Sequence, residues 1–382
     1  MEPEHGLPRT ALDKPANPSI LRPMKRRIPA GLALAAALSF LQPATAQQSV
    51  PQETMKKVYE TVKTPYKYGL VLVPERDEDM VDSPTVFREK GKWYMTYVLF
   101  DSTGYETWLA ESADLLKWNT LGPILSFAGG SWDSAQRGGY LALQDYRWGG
   151  SYRAGKYDGR YWLSYIGGSS QGYEAGMLNV GMARTGGEIA RPHEWEGFDA
   201  PVMTPADPDA GSWECYTLYK SSVIRAPKRL LGAPFVMYYN AKGSADGKES
   251  IGIALSDDLK TWRRYSDRPV LEHPEGITGD AQIQKMGDLY VMFYFGAFWK
   301  GKPYAAFNRF ACSYDLVHWT DWTGDDLIVP SEPYDNLFAH KSFVVKYKGV
   351  VYHFYCAVNG HDRRGIAVAT SRDMGRSSLQ FR

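Results

Sequence analysis

The sequence predicts an all-β fold, a five-bladed β-propeller with four-stranded antiparallel blades, and three observations carry the prediction. The first is composition: 12 Trp, 26 Tyr, 15 Phe and 37 Gly in 382 residues, the mixture of strand formers and tight corners expected of an all-β protein. The second is a repeat of about 60 residues, long enough for four short strands and their turns. The third is a set of chemically active residues that recurs in step with that repeat.

Residues 1–46 are read as a leader. Met24-Lys25-Arg26-Arg27 supplies a basic start, Ile28 to Leu41 an apolar run, and Ala44-Thr45-Ala46 a small-x-small cleavage signal, the three parts of a secretory signal peptide in order. Residues 1–23 are polar and Pro-rich and read as an over-extended start, with Met24 the initiator. The apolar run is too short to span a bilayer, and no other stretch approaches a span. The expected location is secreted or periplasmic, after cleavage near Ala46, with residues 47–382 forming a single propeller domain. Without the leader the protein carries 38 Lys/Arg against 40 Asp/Glu. So balanced a charge offers no basic face for nucleic acid. Cys215, Cys312 and Cys356 are an odd number with no metal-ligand spacing; Cys312 and Cys356 sit in apolar runs and read as buried free thiols.

Blade endings appear as Ser-x-Asp-Leu-x-x-Trp or near copies: Ser112 to Trp118, Asp257-Asp258-Leu259 to Trp262, and Tyr314-Asp315-Leu316 to Trp319. Blade beginnings appear as strand, Gly turn, strand. Asp82 to Tyr94 aligns without a gap on His340 to Tyr352, and similar hairpins lie at Tyr157–Trp162, Pro234–Tyr239 and Met286–Tyr290. The corresponding anchor positions are Asp82, Gly138, Tyr219, Asp280 and His340, in steps of 56, 81, 61 and 60 residues; the long step holds an insertion over Asp145–Gly155. Five residues before each anchor stands an acid: Asp77, Asp133, Glu214, Glu275 and Asp335. Tyr68 to Val73 precedes the first anchor and suits an outer strand of the last blade. The Asp145–Gly155 and Gly167–Met177 loops are expected to supply pocket walls.

In a propeller each blade's first strand runs nearest the axis, so the anchors converge. Two carboxylates and an imidazole directed at one point are costly for a purely structural protein. Glycoside hydrolysis needs such a set, one carboxylate acting on water or as nucleophile and a second carboxyl protonating the leaving oxygen. The catalytic candidates are Asp82, Asp280, Glu214 and His340. Candidate substrate contacts are Trp132, Arg137, Tyr140, Trp213, Tyr216, Tyr219, Lys220 and Lys341, aromatics for sugar faces and cations for anionic groups. No phosphate loop, His-x-x-x-His pair or serine elbow is present, so no cofactor is expected.

The Asp82-Ser83-Pro84 strand and the blade endings make residues 66–382 resemble the five-bladed propeller glycoside hydrolases of families 43, 32, 117 and 130. By that resemblance Asp82 takes the base position, and Asp280 stands at the acid position with Asp where family 43 has Glu. Tyr219 replaces an expected acid, and His340 is the axial histidine, beside which the resemblance allows a cation such as calcium. Trp213-Glu214-Cys215 resembles the Glu-Cys acid motif of family 32. The implied activity is an exported glycosidase acting on a poly- or oligosaccharide by inverting acid/base catalysis, with Asp82 and Asp280 roughly 6.5–9.5 Å apart. Two alternatives remain: a phosphorylase using Lys220, Lys341, His340 and Arg137 to hold phosphate, and a non-catalytic carbohydrate-binding propeller.

Overall fold

The computed structural model describes residues 49–191, 195–226 and 230–382; the expected leader lies outside them. They belong to a single unit. Nearly all of the regular structure is β. It opens with helix α1 (Gln52–Val62) and strand β1 (Tyr66–Leu72), and then runs through successive antiparallel ladders.

The first ladder is β2 (Met80–Glu89), β3 (Lys92–Phe100), β4 (Tyr105–Ser112) and β5 (Asn119–Leu125). The second is β6 (Gln136–Leu141), β7 (Tyr161–Gly168), β8 (Asn179–Thr185) and β9 (Glu196–Gly197). The third is β10 (Thr217–Arg225), β11 (Phe235–Lys242), β12 (Ser250–Ser256) and β13 (Arg263–Arg264). The fourth is β14 (Ile277–Met286), β15 (Leu289–Ala297), β16 (Ala306–Ser313) and β17 (Thr320–Asp321). The fifth is β18 (Phe338–Tyr347), β19 (Val350–Val358) and β20 (Arg364–Thr370), and β1 adds to its outer edge with Tyr66 opposite Thr370.

Strand alternation explains how the ladders hold together. On β11, Val236 and Tyr238 pack toward the fourth ladder, while Phe235, Met237 and Tyr239 pack toward the second. On β15, Val291 and Phe293 face the fifth ladder, and Tyr290, Met292 and Tyr294 face the third. Further apolar clusters join the first ladder to the second and the fifth to the first. Both faces of the middle strands are therefore buried, which is why they read as apolar runs rather than polar alternations. Each buried Phe, Leu or Val contributes about 1.5–3 kcal/mol. Helix α1 buries Met55, Val58 and Val62 in the cluster between the fourth and fifth ladders and stacks Tyr59 on Trp322.

The Ser-x-Asp-Leu-x-x-Trp segments form one turn, used three times. Ser112 Oγ accepts the Leu115 amide, Asp114 Oδ1 accepts the Leu116 and Lys117 amides, and Trp118 Nε1 donates to the Leu115 carbonyl. Ser256–Trp262 and Ser313–Trp319 repeat every one of these bonds. The central leucines take left-handed φ values of 71°, 63° and 72° and are fully buried. Local hydrogen bonding and burial together offset a backbone cost of about 1–2 kcal/mol at each.

Candidate active site

The first strands β2, β14 and β18 share a two-residue bulge. Asp82 pairs with Val98, and pairing resumes only at Thr85. Gly279 and Gln282 flank the same gap in β14, and His340 and Phe343 in β18. The first unpaired residue is left-handed in each case: Ser83 at 51°, Asp280 at 57°, Lys341 at 58°. A bulge breaks alternation, so that consecutive side chains reach the same space. In β10 the gap holds Tyr219 and Lys220, between Leu218 and Ser221. The equivalent residues are thus Asp82, Leu218, Gly279 and His340. The expected register is one residue out at Tyr219 and Asp280, which lie in the bulge rather than before it.

These bulges surround a cavity of about 290 Å³. Asp82, Ser83, Tyr219, Lys220, Asp280, His340 and Lys341 line it from the first strands, together with Tyr140. A second set comes from the starts of third strands, which lie at the same end of each ladder: Tyr105, Ala306, Arg364 and, one residue before β12, Glu249. The β7–β8 loop adds Tyr173 and Glu174.

The electrostatics divide the carboxyls into two kinds. Asp82 accepts the Lys341 ammonium at 2.7 Å and the Ser83 amide at 2.6 Å, with Arg364 4.0 Å away. Burial opposes its charge, but Lys341, His340 and Arg364 prevail and hold it ionised far below the usual carboxylate range. Asp280 lies 3.4 Å from the Lys220 ammonium and 3.3 Å from Asn240 Nδ2. The Ser83 hydroxyl reaches both acids, at 3.4 and 3.5 Å, so Asp82 and Asp280 do stand side by side, each matched by a lysine. Glu249 and Glu174 differ from them. Burial first, and then the neighbouring Glu174 charge, push Glu249 up to about 7. Burial likewise raises Glu174, against the pull of Lys341. His340 is pushed down to about 3 by burial and by Lys341, so its imidazole is neutral at neutral pH.

Four expected site residues are structural. Glu214 is fully buried, and its carboxylate is occupied by Tyr239 Oη at 2.8 Å, Arg264 Nε at 2.7 Å and the Gly211 amide at 3.1 Å. It lines no part of the cavity. Trp213 stacks on Tyr239. In the second ladder Asp133 accepts Tyr165 Oη and Arg137 Nε, while Trp132 stacks on Tyr165. The fifth ladder repeats the clasp with Asp335, Tyr355 and Lys67. Acid, tyrosine and cation form a buried joint here, which removes Glu214, Trp132, Arg137 and Trp213 from the site. Tyr216 lies on the surface beside Lys242, outside the cavity lining. A cation beside His340 does not suit its surroundings: Lys341 and Arg364 stand there and Asp82 is already paired. Among the described residues no cluster of three ligating side chains occurs.

Sequence reasoning follows only first strands to the axis, and so it misses Glu174 and Glu249. Third strands begin at the same end, and an acid directly before the Ser250–Ser256 run is the available signal. Glu174 sits in the Gly167–Met177 loop, which from sequence reads only as pocket wall.

No family profile matches this protein, and no curated protein matches it. Solved structures do. One, described as a complex of BT0996 and RGII, is 56% identical with a TM-score of 0.85, over 87% of this sequence and 99% of its own. Another, described as a glycoside hydrolase, is 55% identical with the same TM-score and coverage. A thermostable family-43 glycoside hydrolase shares the fold at 14% identity and a TM-score of 0.56, over 84% of this sequence and 98% of its own. With the ladders, the axial cavity and these likenesses together, the protein belongs to the propeller glycoside hydrolases and is an enzyme of glycosidic bond cleavage.

Proposed function

We propose that this protein is an exported five-bladed propeller glycosidase in which Glu249 is the proton donor and Glu174 the second carboxylate. The observation that carries the reading is the Glu174–Glu249 pair in the cavity wall, where burial and mutual repulsion keep Glu249 protonated to about pH 7. Two carboxyls that cannot readily ionise together divide into an acid and a base. Glu249 gives its proton to the glycosidic oxygen as the C–O bond breaks. Glu174 takes a proton from the attacking water, whose oxygen bonds to the anomeric carbon from the opposite face. This is a single inverting displacement, and the chemistry needs no cofactor. Asp82, paired with Lys341, is then a fixed charge that holds Lys341 and Arg364 in place, and Asp280 does the same for Lys220.

Phosphorolysis is less favoured, because Lys220 and Lys341 are already paired to carboxylates and Arg137 is bound to Asp133. The five ladders correspond to five blades. The 1–46 leader would deliver the enzyme across a membrane.

The glycan named with the relative makes RGII the first substrate to test. Released sugar is measured for the unmutated enzyme, Glu249→Gln and Glu174→Gln, with anomeric configuration followed by NMR. Loss of about 10²–10⁴ in kcat for both variants is expected, with an inverted product. A retained product would recast Glu174 as a nucleophile. Full activity in Glu249→Gln would remove it as the acid.

A further inference from the structure

Asn240 is buried at the joint between the third and fourth ladders, and both ends of its amide are committed. Its Oδ1 accepts the Asp280 backbone amide at 3.1 Å. That bond fixes the amide orientation and turns Nδ2 toward Glu249 Oε2 at 3.0 Å and Asp280 Oδ1 at 3.3 Å. The backbone of Glu249 is held as well, since its carbonyl accepts the Thr278 amide at 3.0 Å.

The space for this amide comes from a change at the repeated anchor. The position occupied by Asp82 in the first ladder and His340 in the fifth is Gly279 in the fourth. A Cβ there would meet Asn240 Nδ2 at 2.9 Å and the Phe295 ring at 2.8 Å. A side chain at this anchor would therefore displace the amide. Gly279 leaves the slot open, and a residue of the neighbouring ladder fills it.

We infer that Asn240 is a positioning residue that selects which oxygen of Glu249 carries the catalytic proton. Its N–H occupies Oε2, so the proton resides on Oε1, the oxygen left to meet the leaving group. The inference rests on Glu249 being the acid. Because Asn240 donates to the ionised carboxylate, its loss makes Glu249 harder to ionise, in addition to freeing its rotamer.

The test is a carboxyl ¹³C NMR titration of protein labelled at glutamate side chains, with the Glu249 signal assigned by its absence in Glu249→Gln. Asn240→Ala is expected to raise the Glu249 midpoint by about one pH unit, the scale of one hydrogen bond to a charged group. Gly279→Ala keeps the amide but displaces it, so it should move the midpoint the same way, and it serves if Asn240→Ala does not fold. An unmoved midpoint in both folded variants, with hydrolysis of RGII still dependent on Glu249, overturns the role of Asn240 alone. If hydrolysis survives Glu249→Gln, Glu249 itself falls as the acid and the inference falls with it.

Discussion

A carboxyl kept protonated by its surroundings must cost the fold stability, and here the cost can be measured without a substrate. Glu249 titrates at about 7 in the folded protein against an ordinary value of 4.5. Between those limits the folded protein keeps a proton that the unfolded protein has released, so stability falls as pH rises. Below pH 4.5 the group costs nothing on this account. Above pH 7 the full difference applies, about 3 kcal/mol. Glu249→Gln is neutral at every pH and escapes the loss. The variant should match the unmutated protein near pH 4 and gain progressively, reaching about 3 kcal/mol by pH 8. For a folded unit of this length that corresponds to about 4 °C in Tm. Differential scanning calorimetry or urea unfolding at pH 4, 5.5, 7 and 8 reads the difference directly, since every other titrating group is common to both proteins. A difference that does not grow across pH 4.5–7 would refute the argument that Glu249 is held protonated.

Three further outcomes follow from the geometry. Glu214→Gln should lose about 2–4 kcal/mol in urea unfolding, because it weakens a buried charged joint, while kcat measured well below its Tm stays within about twofold; a catalytic acid would show the reverse. Asp82→Asn and Lys341→Met should each cost about 3–5 kcal/mol by leaving a buried charge unmatched, whereas the double variant should lose less than the sum by at least about 1.5 kcal/mol; strict additivity in denaturant titrations would show that the pair is not coupled. Phe298, 62% exposed at the cavity mouth with φ 57°, should tolerate Phe298→Gly with equal or higher Tm, since about 1 kcal/mol of backbone strain is released, and KM for an oligosaccharide should rise.

Much of the fold is legible in the sequence because its signals are local. The Glu89/Lys92, Met286/Leu289 and Tyr347/Val350 hairpins are closed by adjacent turn residues, and the Ser-x-Asp-Leu-x-x-Trp turns carry their hydrogen bonds within seven residues. The apolar run of β1 likewise marks it as the edge strand of the last ladder, where it lies. The anchor register is harder. Counting seven residues back from the last paired residue before each of those turns gives Asp82, Gly279 and His340, but choosing by chemistry selects Asp280. Trp132 and Trp213 look like sugar platforms because aromatic-acid pairs recur. The acid in each is instead bonded to a tyrosine of the adjoining strand, and the indole packs on that tyrosine's ring. No local pattern distinguishes that joint from a binding surface.

Glu174 and Glu249 expose a more general limit. A search for repeats finds what the ladders have in common, and what they have in common here is architecture: turns, joints and bulges. Chemistry enters where a ladder departs from its neighbours. At the start of the third strand the ladders present Tyr105, Ala306, Arg364 and, beside β12, Glu249, four different side chains at one structural place. At the anchor they present Asp82, Leu218, Gly279 and His340. Gly279 has no side chain, yet its emptiness admits Asn240 and so fixes Glu249. In this propeller the common backbone brings five strand ends to one cavity, and the differences among those ends separate an acid at about 7 from a carboxylate held ionised by Lys341. A symmetric set of anchors would give five equal groups with no such separation, and acid/base catalysis needs the inequality.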